Sequence, residues 1–275
     1  MIVEHLLYPE WQGYGVDASV HDGSLDMARV LFPDAVFAHV ESPRDETLTV
    51  GGGVLGLSSI AARFRATLAR LRASAPDVVV TVGGTCGVEA APVAYLNERY
   101  AGDLAVVWFD AHGDLNTPSS SPSGHFHGMV LRTLLGDGPP EYVAELRRVL
   151  QPQQIFLAGT RDLDPGELAY VREAGVSLTP PAAFADPLAV AAAVRARGFR
   201  NVYLHLDMDC FDPDEFPDAL VLTPGGPSFA SVKAMLLELR AAFGVAGCSF
   251  VEYVDRGGGS LGRLRDLPHP GRPRS

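Results

Sequence analysis

Two short acidic motifs contain the residues of this sequence that are best suited to chemistry. The first holds Asp110, His112 and Asp114, and the second holds Asp207 and Asp209. Side chains at alternate positions of an extended segment point to the same side, so each motif directs its carboxylates toward one spot. Four carboxylates this close together repel one another unless cations offset their charge. Oxygen-rich ligands with an occasional histidine favour Mn²⁺ or Mg²⁺, and two such ions can share and acidify a water molecule.

Each motif follows a short apolar segment with the character of a buried strand. We predict strands at residues 1–7, 78–82, 104–109, 154–158, 202–206 and 246–251, and helices at 57–73, 88–100, 129–135, 165–174, 187–197 and 228–243. The apolar runs are continuous, which is typical of strands buried on both faces of a parallel sheet. Their alternation with helices predicts an open, mostly parallel α/β sheet with helices on both faces.

The chain shows no linker and no internal repeat, so we predict a single domain over residues 1–256. Residues 257–275 are rich in Gly, Pro and Arg and lack periodicity, and we expect them to form a flexible tail. In an open α/β sheet, ligands bind beyond the carboxyl ends of the strands. Polar or metal-capable residues follow five of the predicted strands, which places the acidic motifs at that edge.

The composition excludes several other classes of protein. With 275 residues, 47% apolar and 20% charged, the chain is not disordered. Its 22 basic and 33 acidic residues give a formal charge of −11, which argues against nucleic-acid binding. It has neither a membrane-length apolar stretch nor a signal-peptide pattern, so we expect no membrane association. Three cysteines, an odd number, fit reduced thiols in the cytoplasm.

In their order along the chain, these motifs resemble the signatures of the arginase/agmatinase (ureohydrolase) family. Residues 110–118 and 123–128 are similar to one signature, residues 206–213 to a second aspartate motif, and residues 83–87 occupy the place of a Gly-Gly-Asp-His-Ser motif. The resemblance runs from about residue 80 to 255. It implies a three-layer α/β/α fold, two Mn²⁺ ions, and hydrolysis of a guanidino group by a hydroxide that bridges the ions.

The resemblance also implies six metal ligands shared between the two ions: Cys86, Asp110, His112, Asp114, Asp207 and Asp209. Asp110 and Asp207 would bridge the ions, with Cys86 and Asp114 completing one site and His112 and Asp209 the other. Asp114 would also orient the hydroxide.

Two further residues match catalytic positions of the family. His127 corresponds to a histidine beside the substrate that shuttles a proton or stabilises charge. Glu252 corresponds to the glutamate that pairs with the guanidinium.

Cys86 is a departure, because the family carries His at this position. A thiolate is a good ligand once deprotonated, although it is softer than imidazole and suits Mn²⁺ less well. We therefore expect Cys86 to bind metal, more weakly than a histidine would. Loss of the ligand and a role as covalent nucleophile are the alternatives; the sequence shows no separate base that would activate such a nucleophile.

The residues that would hold the far end of the substrate point to an α-amino acid. Asp164 matches a position that contacts an α-amino group, with Glu167 as a second candidate, while Asn116 and Ser123 match positions that hold an α-carboxylate. His125 stands where arginases carry Asn. Each residue also has an ordinary interpretation, since Asp before Pro-Gly is a good helix start.

The two departures, at positions 86 and 125, resemble the branch of the family that works in D-cycloserine biosynthesis. This implies Nω-hydroxy-L-arginine as substrate, with L-ornithine and hydroxyurea as products. Arginase or agmatinase activity is the nearest alternative. A metal-poor, non-catalytic relative and a hydrolase of acetylated amines on the same fold are others, and metal analysis and product assays separate them. The sequence leaves the oligomeric state open, and a monomer is possible.

Overall fold

A parallel sheet of eight strands forms the centre of the computed structural model, which describes residues 1–269. The strands along the chain are β1 (Val3–Tyr8), β2 (Phe37–His39), β3 (Val50–Gly51), β4 (Val54–Leu55), β5 (Val78–Gly83), β6 (Ala105–Phe109), β7 (Ile155–Ala158), β8 (Ser177–Thr179), β9 (Asn201–Asp207) and β10 (Gly244–Val251). The main sheet has the order β2-β1-β5-β10-β9-β6-β7-β8, and β3 and β4 form a separate antiparallel hairpin.

Helices cover both faces of the sheet. They are α1 (Ser19–Leu31), α2 (Leu57–Ser74), α3 (Ala90–Arg99), α4 (Val130–Leu134), α5 (Pro140–Val143), α6 (Pro165–Ala174), α7 (Ala189–Ala196) and α8 (Phe229–Ala242). Helices α2 to α6 share one apolar core with the sheet, and α1, α7 and α8 share another. The predicted three-layer α/β/α fold is therefore confirmed.

Adjacent residues of the central strands enter opposite cores, which explains their continuous apolar runs. Val79 belongs to one core and Val80 to the other, and neither side chain has exposed surface. Burial of such a valine contributes about 1.5 kcal/mol or more to folding. Both sides of the sheet thus hold the central strands rigidly in register.

The connectivity brings the acidic motifs together. Strands β9 and β10 insert between β5 and β6, so that β5, β10, β9 and β6 are neighbours in the middle of the sheet. All neighbouring pairs among them are parallel, and Val82, Phe250, Leu206 and Phe109 lie side by side near their carboxyl ends. The loops after these four strands therefore meet at one edge.

Three of the elements that periodicity did not predict are α1, β2 and β8. Helix α1 contains Gly23, where a Cβ would lie 1.9 Å from the carbonyl oxygen of Tyr253, so glycine permits close packing there at the cost of a helix-breaking signal. Strands β2 and β8 each have three residues and lie at the two edges of the sheet. Segments this short carry too little pattern to be distinguished from loops.

Residues 257–269, whose composition predicts a flexible tail, pack against the rest of the domain. Ser260–Asp266 forms a 3₁₀ helix, and Leu264 and Leu267 are completely buried in the core that contains α1. The Asp218 carboxylate accepts hydrogen bonds from the backbone N–H and hydroxyl of Ser260. Burial of two leucines and hydrogen bonds to one carboxylate therefore stabilise this segment despite its loop-like composition. The prediction for residues 270–275 lies outside the described residues.

Within residues 1–269, none of the helices combines the length and apolar character needed to cross a membrane.

Candidate active site

A tight turn after β5 delivers Cys86 to the site. A Cβ on Gly84 would lie 2.1 Å from the carbonyl oxygen of Glu10, so only glycine fits between these segments. The carbonyl oxygen of Gly84 accepts a hydrogen bond from the backbone N–H of Glu252 at 2.8 Å. This packing fixes the loop against the end of β10, and Cys86 then begins a 3₁₀ helix with its side chain 2% exposed.

The thiol of Cys86 belongs to a buried cluster of potential metal ligands. Its Sγ lies 3.0 Å from Oδ2 of Asp207, 3.7 Å from Nε2 of His205 and 3.9 Å from Oδ2 of Asp110. One ligand atom from each of these four residues lies within 4.8 Å of all the others. The cluster combines a thiol, an imidazole and two carboxylates.

A second cluster adjoins the first and shares Asp110. His112 Nδ1 lies 2.9 Å from Oδ2 of Asp209 and 3.4 Å from Oδ1 of Asp110. Asp209 is held in place by backbone groups, because its Oδ1 accepts the N–H of Ala111 and its own N–H donates to Asp207. Asp207, Asp209 and Glu252 form a third group of nearby carboxylates.

Burial and mutual repulsion perturb the carboxylates. Burial raises the pKa of Asp209 to about 6, and the negative charge of Asp110 adds to the increase. Burial and the charges of Asp209 and Glu252 raise the pKa of Asp207 well above its usual range. Asp114 is raised in the same way by burial, Asp110 and Glu252. Without cations, the folded chain holds these carboxyl groups in an unfavourable environment.

Orphaned oxygen atoms show that the cluster fits metal ions. Oδ2 of Asp114 is buried and accepts no hydrogen bond from residues 1–269, and Oδ2 of Asp209 is buried with no aligned hydrogen bond, although Nδ1 of His112 lies 2.9 Å away. Such atoms cost folding free energy unless a cation or water contacts them. Asp114 also adopts a φ of 50°, a strained backbone conformation for a residue other than glycine. Donor type, burial and missing partners together match the oxygen-rich ligand sets of Mn²⁺ or Mg²⁺.

The Cys86 thiol needs a metal to ionise. Burial, followed by the negative charges of Glu252 and Asp207, raises its pKa well above the usual value. A free thiolate is therefore disfavoured in this position, and a bound dication would reverse the balance. The same surroundings argue against Cys86 as an activated nucleophile, because the charges that act on its thiol are those of carboxylates, which disfavour its anion.

His127 and Glu252 form a buried pair beside the clusters. Nδ1 of His127 lies 2.9 Å from Oε1 of Glu252, which also accepts the backbone N–H of Cys86 at 3.2 Å. Burial lowers the pKa of His127, but the charge and hydrogen bond of Glu252 raise it more, and the net pKa is above its usual value. Glu252 has a φ of 63°, so this catalytic candidate, like Asp114, is held in a strained conformation.

The predicted residues converge on one cavity of about 350 Å³. Twelve of them line it: Cys86, Asp110, His112, Asp114, Asn116, Ser123, His125, His127, Asp164, Glu167, Asp207 and Glu252. The thirteenth, Asp209, lies behind His112. Thiol, carboxylates and imidazoles are thus exposed to a space that a small molecule could enter.

The residues predicted to hold an amino acid form a connected network at the β7 side. Asn116 donates from Nδ2 to Oδ2 of Asp164 at 2.8 Å and accepts from the hydroxyl of Ser120. Asp164 is the residue before α6, as its sequence predicts for a helix start. Glu167 accepts the backbone N–H groups of Leu115 and Asp164 with its two oxygens, so it braces the loop as well as lining the cavity.

Ser123 and His125 lie at the rim of the cavity with a residue that the sequence did not single out. The hydroxyl of Ser123 accepts the backbone N–H of His125 at 3.2 Å. The ring of Tyr14 packs edge-on against His125 and His127, with centroids 5.2 and 5.3 Å apart. Tyr14 lies in an irregular segment after β1 and carries no motif, so its place at the site depends on the fold.

His205 is the second residue that sequence reasoning missed. It lies within β9, two residues before Asp207, and is completely buried. The same alternation rule that grouped Asp110 with His112 places His205 and Asp207 on one side of their strand. The sequence therefore contains this signal, although a histidine within an apolar run is equally typical of a structural strand residue.

Comparison with known proteins identifies the family. The chain matches the arginase family over residues 26–254. The chain belongs to the arginase family. Among its relatives, an arginase from Staphylococcus aureus (strain COL) is 33% identical over 180 residues, which cover 63% of this chain and 59% of that protein. The N(omega)-hydroxy-L-arginine amidinohydrolase of Streptomyces lavendulae is 34% identical over 183 residues, covering 64% and 63%. The matches therefore span about three fifths of those relatives.

Solved arginase structures share the fold of this arginase-family chain. Entamoeba histolytica arginase, solved in complex with L-ornithine, has a TM-score of 0.86 at 20% identity and covers 96% of this chain and 95% of its own. Bacillus caldovelox arginase has a TM-score of 0.84 at 22% identity, with 97% of each chain covered. At these identities the likeness establishes the architecture alone.

Proposed function

We propose that this arginase-family protein is a binuclear manganese amidinohydrolase that converts Nω-hydroxy-L-arginine and water to L-ornithine and hydroxyurea. The observation that carries the proposal is the pair of adjoining ligand clusters joined by Asp110, next to the His127–Glu252 pair in the same cavity. The family relationship supports hydrolysis of an amidino group, and the departures at Cys86 and His125 support the hydroxylated substrate. Three free, buried cysteines fit a reducing compartment such as the cytoplasm.

Cys86, Asp110, His112, Asp114, Asp207 and Asp209 would hold the two ions. When bound, such ions supply an acidified water molecule as nucleophile near neutral pH. The protein contributes the positions of these ligands, which come from the rigid ends of neighbouring strands. The orphaned Oδ2 of Asp114 is available to orient the water through a hydrogen bond.

Glu252 and His127 would handle the cationic head and the leaving amine. The hydrogen bonds that Glu252 accepts within residues 1–269 end on Oε1, which leaves Oε2 for an N–H group of the substrate. With Nδ1 of His127 engaged by Glu252, Nε2 can pass a proton to the amine that becomes the side-chain nitrogen of ornithine. The raised pKa of His127 favours this role, because the ring holds its proton more firmly than an ordinary histidine does.

The far end of the cavity suits an α-amino acid. The Asp164 carboxylate offers an acceptor for an ammonium group, and Asn116 and Ser123 offer donors for a carboxylate. An N-hydroxyguanidine is less basic than a guanidine, so more of it is neutral and its carbon is more electrophilic. A water molecule activated less strongly at a thiolate-ligated site would then suffice.

Steady-state kinetics test the substrate. The manganese-loaded protein should show a higher kcat/KM for Nω-hydroxy-L-arginine than for L-arginine or agmatine, and hydroxyurea should appear in equal amounts with ornithine. L-Arginine is the competing substrate, since several relatives are named arginases. A clear preference for arginine or agmatine would reject the hydroxylated substrate, and no hydrolysis of any of the three would reject the amidinohydrolase itself.

A further inference from the structure

We propose that His205 is itself a metal ligand and joins Cys86, Asp110 and Asp207 around one of the two ions. This inference rests on the dimetal site proposed above and adds a ligand that neither the motifs nor the family resemblance assigns. It also answers the departure at position 86. The imidazole that the family supplies from the β5 loop is replaced here by a thiol, while an imidazole reaches the same place from β9.

The distances from His205 to two other members of the cluster fit a shared ion. An ion bound tetrahedrally at 2.0–2.3 Å separates its donor atoms by about 3.3–3.8 Å. Nε2 of His205 lies 3.7 Å from Sγ of Cys86 and 3.7 Å from Oδ2 of Asp110. The separation from Oδ2 is too long for a direct hydrogen bond, and the separation from Sγ allows only a long hydrogen bond to sulfur. Both are separations expected of two ligands with an ion between them.

The orientation of the ring also matches a metal ligand. Ligating histidines use one ring nitrogen for the metal and donate the N–H of the other to a fixed acceptor. Nδ1 of His205 lies 3.2 Å from the hydroxyl of Ser249 and 3.9 Å from Oε1 of Glu89, both completely buried. With Nδ1 facing this acceptor side, Nε2 faces the thiol and the carboxylate.

The protein holds the ring in this orientation before any metal arrives. The imidazole stacks on the indole of Trp108, with centroids 3.5 Å apart and planes 10° from parallel. Trp108 in turn donates from Nε1 to Oδ2 of Asp110 at 3.0 Å. One aromatic side chain therefore positions both the imidazole and the bridging carboxylate of the same cluster. Glu89 is fixed by the hydroxyl of Tyr203.

A structural histidine would not need this arrangement. On a strand buried on both faces, an apolar side chain fills the space with no cost of burying polar atoms. Instead, Glu89 Oε1 stays buried with no hydrogen bond from residues 1–269, close to Nδ1 of His205. Such a polar network is worthwhile when it orients a ligand, since outer partners tune both ring geometry and basicity.

Cobalt titration tests the proposal without relying on activity. Co²⁺ is added to chelator-stripped wild type, to His205→Gln and His205→Ala, and to His39→Ala, which removes an exposed histidine of β2 as the matched control. The thiolate-to-cobalt absorption band reports the ion at Cys86. Titrations followed at this band should show that both His205 variants bind Co²⁺ at least tenfold more weakly than wild type. Removing only an outer partner of a ligand already lowers metal affinity 10–100-fold. His39→Ala should bind like wild type.

The outcomes separate this inference from the proposed function. If wild type binds two ions and His205→Gln, folded by circular dichroism, binds them with unchanged affinity, His205 is not a ligand and the dimetal site stands. If wild type binds no ions, the proposed function fails first.

If neither variant folds, X-ray absorption of the Co²⁺-loaded wild type decides the question by counting imidazoles. A total of two imidazole ligands for the two ions, from His112 and His205, supports the inference. A total of one overturns it.

Discussion

The Sγ of Cys86 lies 3.0 Å from Oδ2 of Asp207, so a thiol and a carboxylate share one buried corner of the active site. If both groups were anions, their repulsion in this environment would be severe, which is why burial and neighbouring charge raise both pKa values. A divalent cation held by both groups would replace this repulsion with attraction. The contact therefore supports the proposed metal site, and it makes Cys86 the most informative position to change.

Replacing Cys86 with Ser should weaken manganese binding at least tenfold, because a neutral hydroxyl replaces a potential thiolate. Cys86→His should bind manganese more tightly than wild type and retain activity, since imidazole suits Mn²⁺ better than a soft thiolate. Calorimetric titration of the stripped proteins measures both effects.

Cys248→Ala removes a buried thiol outside the ligand clusters and serves as the control. Unchanged manganese affinity in Cys86→Ser would show that Cys86 is not a ligand. Loss of activity in Cys86→His with metal fully bound would favour the nucleophile instead.

The stability gained from metal should grow with pH. In the stripped protein, the pKa of Asp209 is about 6 when folded, compared with about 3.9 when unfolded. The folded state therefore binds more protons than the unfolded state in this range. As pH rises from about 4 through 6, this group lowers the free energy of unfolding by up to about 3 kcal/mol. Asp207 and Asp114 extend this loss to higher pH, because their pKa values are raised well above the usual range. Bound cations offset the charge and remove the penalty.

Thermal melting with and without chelator at pH 5.5, 7 and 8.5 measures this effect. The difference in Tm between loaded and stripped protein should be largest at pH 8.5. Stripped Asp209→Asn should lose part of the pH dependence, since one of the buried titrating groups is gone. A stripped wild type equally stable at pH 5.5 and 8.5 would contradict the proposed electrostatics.

Sequence patterns predicted the centre of this molecule well and its periphery poorly. Helix α6 was predicted with its observed bounds, because Asp164-Pro165 marks its beginning and the left-handed Gly175 its end. The paired acidic motifs identified the edge of the sheet where the cavity lies, since parallel strands present their carboxyl ends together. These signals are local, and a single stretch of chain contains them.

Residues whose role depends on distant contacts could not be predicted in this way. Tyr14 reaches His125 and His127 across more than a hundred residues of sequence. The packing of residues 257–269 could not be predicted for the same reason, because Leu264 is buried by contacts with α1 at the other end of the chain. Composition does not reveal which distant residues will contact such a segment, and those contacts are known only once the fold is known.

Glu252→Gln should lower kcat/KM for the hydroxylated substrate at least about 10-fold, because a hydrogen bond to a charged group contributes about 1.5–3 kcal/mol. Both ions should remain bound if Glu252 serves the substrate. Steady-state kinetics together with metal analysis of the same sample measures the two properties.

His127→Asn is the companion variant, and it should reduce kcat by a factor of about 10² or more, as expected for loss of a proton donor. Glu252 also lies in a carboxylate group with Asp207 and Asp209. Loss of an ion from Glu252→Gln would therefore reassign this residue from substrate anchor to ligand.

Asn116→Ala should raise KM for Nω-hydroxy-L-arginine about 10-fold or more, while leaving the weaker hydrolysis of agmatine almost unchanged. The Asn116 amide is a proposed donor to the α-carboxylate and also holds the Asp164 carboxylate, the proposed acceptor for the α-amino group, so its removal weakens both contacts. Agmatine has no carboxylate, so its KM should not respond to the loss of this contact.

Glu167→Gln is the structural control. The Glu167 carboxylate accepts backbone N–H groups, so this substitution should lower Tm in addition to any change in KM. Equal increases in KM for both substrates would show that Asn116 only stabilises the loop. The preference for an amino acid would then have to arise elsewhere in the cavity.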